Sequence, residues 1–311
     1  MKQFIINLCV LAAIPLFASA APLRVALLDF EDETGSKPDA ATAGVVNTAT
    51  LAKKGVDLMS KQLIDQKGYT LIDRRDFIAK LQQSTPREVM EGHPRPAFIQ
   101  AGQMLGATAV LGGSLSSFST SREKYNLGGN KTELTKLSMR VTIRALDVVD
   151  GSVIAVADGV AEQSFRQTEA VQTTLGEEDI LTLMESAIAK TIPKLNAALN
   201  RHQSAGQRPK ATLNIDSTDN PALVEIDGIL VGTTPILGLE VYQGDHTLTV
   251  SRPSYVTMAK RIVVNGKFQI TVPMLRTDLT VEERKQILDK AQMKVFLTNG
   301  KPDILIQTLT E

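Results

Sequence analysis

The sequence predicts an α+β protein, an N-terminal α/β sandwich followed by a small all-β sandwich. Three observations carry this. A short apolar run, Leu23 to Phe30, is followed by a stripe of Val45, Ala49, Ala52, Val56, Met59 and Leu63. Those intervals of three and four place the stripe on one helix face. Apolar periodicity then disappears over Arg201 to Pro209, and only short runs of strict alternation follow. Strand, helix and then strands alone is a two-part chain.

The elements follow in order. Leu23 to Phe30 reads as a buried strand entering the acidic loop Glu31-Asp32-Glu33, and Gly68 stops the first helix. Tyr69 to Ile72 is a second strand, Arg75 to Gln83 a second helix carrying Phe77, Ile78 and Leu81, and Thr85 to Pro96 a loop. Ala97 to Leu105 is a third helix, stopped by Gly106, and Ala107 to Phe118 a strand. From Leu137 to Ala145, apolar residues alternate with Ser138, Arg140, Thr142 and Arg144, the pattern of a half-buried strand. Asp150-Gly151 turns it into a partner over Val153 to Asp158. A last helix spans Asp179 to Asn200, with Pro193 expected to bend or shorten it. Arg201 to Pro209 is expected to be a linker and the first point of proteolysis. Beyond it, Leu213 with Ile215, Leu248 with Val250, and Phe268 to Met274 alternate, and Asp227-Gly228 marks a two-residue hairpin. These are the strands of a β-sandwich over 210–276. The tail, 277–311, carries a charged helix over Glu282 to Gln292 and two short strands, Lys294 to Leu297 and Ile304 to Gln307.

The first twenty residues read as a secretory signal. Lys2 precedes an apolar run from Phe4 to Phe17, and Ala18-Ser19-Ala20 supplies small side chains before the cleavage point. The run is shorter than the ~18 to 20 residues of a membrane span. Cys9 is the only cysteine, inside that run and without the small residues that precede a lipidation site. The mature chain therefore has no disulfides, and each domain depends on its own core. Removing residues 1–20 leaves a formal charge of −1 without any block of one sign. A nucleic-acid partner would need a basic stripe, so none is expected.

Candidate chemistry is sparse. His93, His202 and His246 lie in a loop, a linker and a β-turn, without metal-ligand spacing. No cysteine survives processing and no nucleophile elbow is present. Gly112-Gly113-Ser114 lacks the lysine of a phosphate loop and reads as close backbone packing inside a strand. Asp29, Glu31, Asp32 and Glu33 lie at the carboxyl end of the first strand, where α/β sheets bind ligands, but read as a solvated loop. Asp73-Arg74-Arg75-Asp76 reads as local salt bridges. No catalytic, cofactor-binding or metal site is expected, and no cofactor.

Two resemblances emerge. Val25-Ala26-Leu27-Leu28-Asp29-Phe30 with Thr34-Gly35, then Leu71-Ile72-Asp73-Arg74-Arg75-Asp76, then Leu105-Gly106-Ala107 leading to Leu111-Gly112-Gly113-Ser114, then Arg144 to Gly151 (RALDVVDG), resemble the curli-secretion-channel (CsgG-like) periplasmic domain. Residues 210–275 are similar to the PEGA domain, through Pro221-Ala222, Val224-Glu225-Ile226-Asp227-Gly228, Val231-Gly232-Thr233-Thr234-Pro235 and Ser251-Arg252-Pro253-Ser254-Tyr255. The naming tetrapeptide reads Tyr242-Gln243-Gly244-Asp245 here, and Ser254 replaces the usual glycine. The resemblance implies a non-enzymatic envelope protein acting in assembly, secretion or regulation through protein contacts. A secretion pore subunit and an activator of a cell-wall synthase are the alternatives. Partners are envelope proteins or cell-wall components, and a homo-oligomer is compatible with this reading. A pore needs strands of ~9 to 11 residues with an apolar lipid face. Ser116 to Lys136 and Val160 to Glu178 carry charge instead and are expected to be short soluble hairpins or loops.

The exported protein should begin at Ala21 and carry no lipid. Its intact mass decides this; an acylated Cys9 or another start would refute it.

Overall fold

The structure, a computed structural model, describes residues 22–35, 47–66, 68–84, 86, 97–127, 130–168, 175–204, 208–290, 294–298 and 301–305. The expected signal segment, Val45, His93 and most of the 85–96 loop lie outside these residues.

The N-terminal half is one mixed sheet. Its strands are β1 (Leu23–Leu27), β2 (Glu31–Asp32), β3 (Tyr69–Leu71), β4 (Ala109–Leu127), β5 (Asn130–Asp147) and β6 (Val153–Thr168). The order is β3-β1-β4-β5-β6, with β2 pairing β4. The contacts of β1 with β3 and β4 are parallel; β4, β5 and β6 form an antiparallel meander. Helices α1 (Thr48–Ile64) and α4 (Glu177–Ser204) cover one face. On α1 the buried stripe runs through Thr48, Leu51, Ala52, Gly55, Val56, Met59 and Leu63; Ala49, expected inward, is exposed. Asn47 caps the helix by accepting from the Thr50 N–H at 3.1 Å. Two close approaches set this layer. Phe30 lies between Gly55 and Gly113, where added Cβ atoms would fall 2.5 Å and 2.3 Å from its ring. A Cβ on Gly159 would stand 1.9 Å from the Ala187 carbonyl oxygen, so only glycine lets α4 lie on β6.

The other face is covered in part. Helices α2 (Arg74–Ser84) and α3 (Phe98–Met104) pack Phe77 and Ala101 over Ala26, Val110, Val148 and Val149. Toward β5 and β6 the outer face stays open, with Arg140, Arg144, Val153 and Val156 exposed.

Three expectations are corrected. Helix α4 passes through Pro193 without stopping and continues to Ser204, so the first residues of the expected linker are helical. The segment from Ser116 to Lys136 is not a short hairpin. Strands β4 and β5 pair from Ala109↔Asp147 out to Leu127↔Asn130, and β6 follows to Thr132↔Thr168. Polar side chains on both faces hid this ribbon from an apolar-period reading. The second segment, Val160 to Glu178, holds the end of β6 and the start of α4, with 169–174 outside the described residues.

The C-terminal half is a β-sandwich. One sheet has the order β10 (Ile236–Tyr242), β7 (Lys210–Ser217), β13 (Lys267–Val272). The other runs β12 (Met258–Val264), β11 (Gly244–Ser251), β8 (Leu223–Ile226), β9 (Ile229–Thr233). Asp227 and Gly228 both take positive φ at the expected hairpin, and Ser254 holds the glycine conformation at φ +66°. In the tail, α5 (Val281–Lys290) precedes the hairpin of β14 (Lys294–Thr298) and β15 (Lys301–Leu305).

One residue breaks the pattern. Met258, Ile262 and Val264 of β12 point inward, and so does Lys260, 7% exposed, whose ammonium has no hydrogen-bond partner. Burial pushes its pKa down to about 8. The unfolded chain, near 10.5, then binds more protons between the two values. Stability should therefore rise as pH climbs through that window and be lower beneath it. Lys260→Met should add roughly 1–3 kcal/mol at neutral pH and flatten the alkaline rise. Urea melts at neutral and alkaline pH check this; an unchanged midpoint would refute it.

Candidate interaction site

Two concavities flank α3. The first is a groove of about 480 Å³ at the carboxyl end of β1, beside the first residues of β4. Its apolar walls include Leu28, Phe77, Ile78, Leu81, Phe98 and Val153, and Gly112, Gly113 and Ser114 form its floor. The acidic segment supplies the rim. After Leu27 the chain stays bonded to β4: the Leu28 N–H donates to the Leu111 carbonyl at 2.9 Å and, past the short strand β2, the Glu33 N–H to that of Leu115 at 3.1 Å. Alternate residues of an extended chain face opposite sides. Asp29, Glu31 and Glu33 thus line the groove, while Phe30 turns into the core. Asp32 turns away too. Burial opposes its ionisation, yet hydrogen bonds from Thr48 and Thr34 hold its carboxyl below the ordinary range. All four acidic residues are exposed, and three of them also border the groove.

Charges around the groove are unevenly paired. Asp29 pairs with Arg74, so the Asp73–Asp76 run reaches across the fold where a local bridge was expected. Glu33 lies 3.9 Å from Arg144. Beyond the rim, hydroxyls cross the open sheet: Ser116 Oγ lies 2.7 Å from Thr142 Oγ1, which donates to Asp158 Oδ1 at 2.7 Å.

The tandem glycines divide their work. Gly113 meets Phe30, the close packing expected from the sequence. Gly112 does not: a Cβ there would touch only Leu28 Cδ1, at 3.8 Å, in open groove.

The second concavity, about 710 Å³, lies where α3 meets the sandwich. Ile99 is fully buried in the sandwich core. The Gln103 amide donates to the carbonyls of Val148 and Glu240, both at 2.8 Å, and accepts from the Glu240 N–H at 2.7 Å. Gln100 accepts from the Thr233 N–H at 3.3 Å. Two glutamines one helical turn apart so cap β9 and β10, each an edge strand of its sheet. Below them, buried Asp147 accepts from the Tyr242 hydroxyl at 2.7 Å and the Val149 N–H at 2.8 Å. Burial, with that carboxylate bond, pushes the Tyr242 hydroxyl up to about 12. Arg208 stacks 3.6 Å from the Tyr242 ring centroid and bonds Asp150 at 3.0 Å.

The histidines stay apart. His202 sits in the last turn of α4, 3.3 Å from Asp147; His246 lies in β11, 2.7 Å from Asp227 and from the Tyr242 carbonyl. Among the described residues, no cluster of three His, Cys, Asp or Glu could hold a metal ion. None of their helices is long and apolar enough to cross a membrane. Neither concavity was legible in the sequence, since each gathers residues from four or more elements.

Gln103→Ala should cost about 0.5–1.5 kcal/mol, because it removes hydrogen bonds to Glu240 and Val148 that water replaces only in part. Calorimetry should show a lower melting temperature; an unchanged melt would show the joint contributes nothing.

Two family models agree with this architecture. The PEGA domain model matches residues 210–276. Among solved structures, a hypothetical protein from Chlamydia trachomatis is 17% identical, with 60% of this chain and 100% of that one covered at a TM-score of 0.37. A lipoprotein from Neisseria meningitidis is 16% identical, covering 55% and 99% at 0.28. The LpoB C-terminal domain from Salmonella enterica is 15% identical, covering 47% and 87% at 0.29. No curated protein matches the chain. The model for the curli production assembly/transport component CsgG matches residues 13–214, more than half of the sequence, and the chain belongs to that family.

Proposed function

We propose that this is a non-enzymatic protein of the periplasm or outer cell envelope, exported by cleavage near Ala20, which assembles or regulates envelope structures through protein contacts. The observation that carries the reading is the groove and the open sheet face beside it. Val153 and Val156 are 56% and 57% exposed there, next to the apolar walls. An apolar surface bordered by polar residues is what a protein contact requires. Membership of a family named for assembly and transport supports the same reading. The division into an α/β domain over 21–200, a sandwich over 210–276 and a tail over 277–311 belongs to this proposal.

A pore remains the competing reading, because β4 and β5 are long enough to span a bilayer. Their side chains oppose it. Arg122 and Lys124 face Glu133 on one side of the ribbon, at 3.8 Å each, and Lys136 pairs with Glu162 at 2.8 Å on the other. A charge at mid-bilayer costs roughly 2–4 kcal/mol, so neither face suits lipid.

Photo-crosslinkers at Val153 and at Ile64, exposed on α1, separate these ideas in living cells. We expect a discrete protein adduct from Val153 and none from Ile64, and no conductance from liposomes carrying the purified protein. Equal labelling from both sites would remove the groove from the reading, and conductance would establish the pore.

A further inference from the structure

We propose that the groove is a docking site for a partner-protein segment presenting apolar side chains flanked by lysine or arginine. This rests on the reading above and names the chemistry of the contact. Gly112 is the first support. Its backbone does not take the positive φ that favours glycine, and no neighbour would clash with a Cβ. Neither conformation nor packing therefore demands glycine there, unlike Gly113. What its missing side chain does is keep the floor of the groove open between Leu28 and the α2 wall.

The charge of the rim selects the occupant. Three carboxylates and one guanidinium line the groove. Asp29 has its own partner in Arg74 and Glu33 is loosely held by Arg144. Glu31 is exposed and faces the opening. An acidic partner would meet repulsion; a basic one gains pairs at the exposed edge of an apolar seat, which steer it and weaken with salt. An amphipathic helix with apolar residues three and four apart and basic residues beside them meets both demands.

The chain contains no tryptophan, which supplies a clean test. A leucine–lysine helical peptide with one tryptophan reports burial by its blue shift, and a leucine–glutamate peptide of equal length is the control. The whole protein has 34 basic and 34 acidic residues, so bulk charge does not draw in the cationic peptide. We expect saturable binding of the lysine peptide and little of the glutamate one. Gly112→Leu, which fills the floor, should weaken binding at least ~10-fold. The Glu31→Lys, Glu33→Lys double variant should do so by about 10-fold and remove most of the salt dependence. Should Gly112→Leu fail to fold by circular dichroism, Val153→Lys, at an exposed position, replaces it with the same expectation. Binding that survives these changes, or equal binding of both peptides, overturns the proposal. So does an oligomer of the native protein that Gly112→Leu dissolves, because the occupant is then a second copy. A cross-link from Val153 in cells without peptide binding would leave the protein-contact reading standing and remove this chemistry.

Discussion

The arrangement depends on one side-chain amide. Gln103 uses both donors and its acceptor on backbone groups, with Val148 on one side and Glu240 on the other. The amide thereby joins the turn after β5 to the edge of β10. The same helix sends Ile99 into the sandwich core and sets Phe98 against the groove. Helix α3 thus belongs to both halves of the protein. The β-sandwich is not a bead on a string, since part of its core comes from the α/β half.

Alternation does the rest at the groove. From Asp29 to Glu33 neighbouring side chains fall on opposite sides, which separates Phe30 from the carboxylates around it, while Leu28 stays on the groove side. Phe30 locks the sheet to α1 through Gly55 and Gly113. The same geometry that packs the aromatic ring inward forces Asp29, Glu31 and Glu33 outward. The core and the candidate site are two faces of one short segment.

Stability is spent in identifiable places. Lys260 faces the sandwich interior without a partner, and Ser254 holds a conformation that costs a non-glycine residue about 1–2 kcal/mol. One of these departures was visible in the sequence and the other was not. Only Ser254 stands out against the PEGA motif; Lys260 passes as one polar residue on an alternating strand until the sheet shows which face it occupies.

The sequence by itself determined the fold class, most element types and the two family motifs. Those depend on local spacing: three and four for a helix, two for a strand, glycine at a corner. It also marked Gly112 and Gly113 as a pair but could not tell their roles apart. Tertiary structure alone decided that Gly113 meets Phe30 and Gly112 meets open space, that Arg74 reaches Asp29, and that Ile99 packs into the sandwich core. It also decided the length of the β4–β5–β6 ribbon, whose polar faces give no periodic signal. The reason is the same in each case. Local periodicity follows from the geometry of one chain segment, whereas a groove, a joint or an ion pair depends on which distant segments the fold brings together.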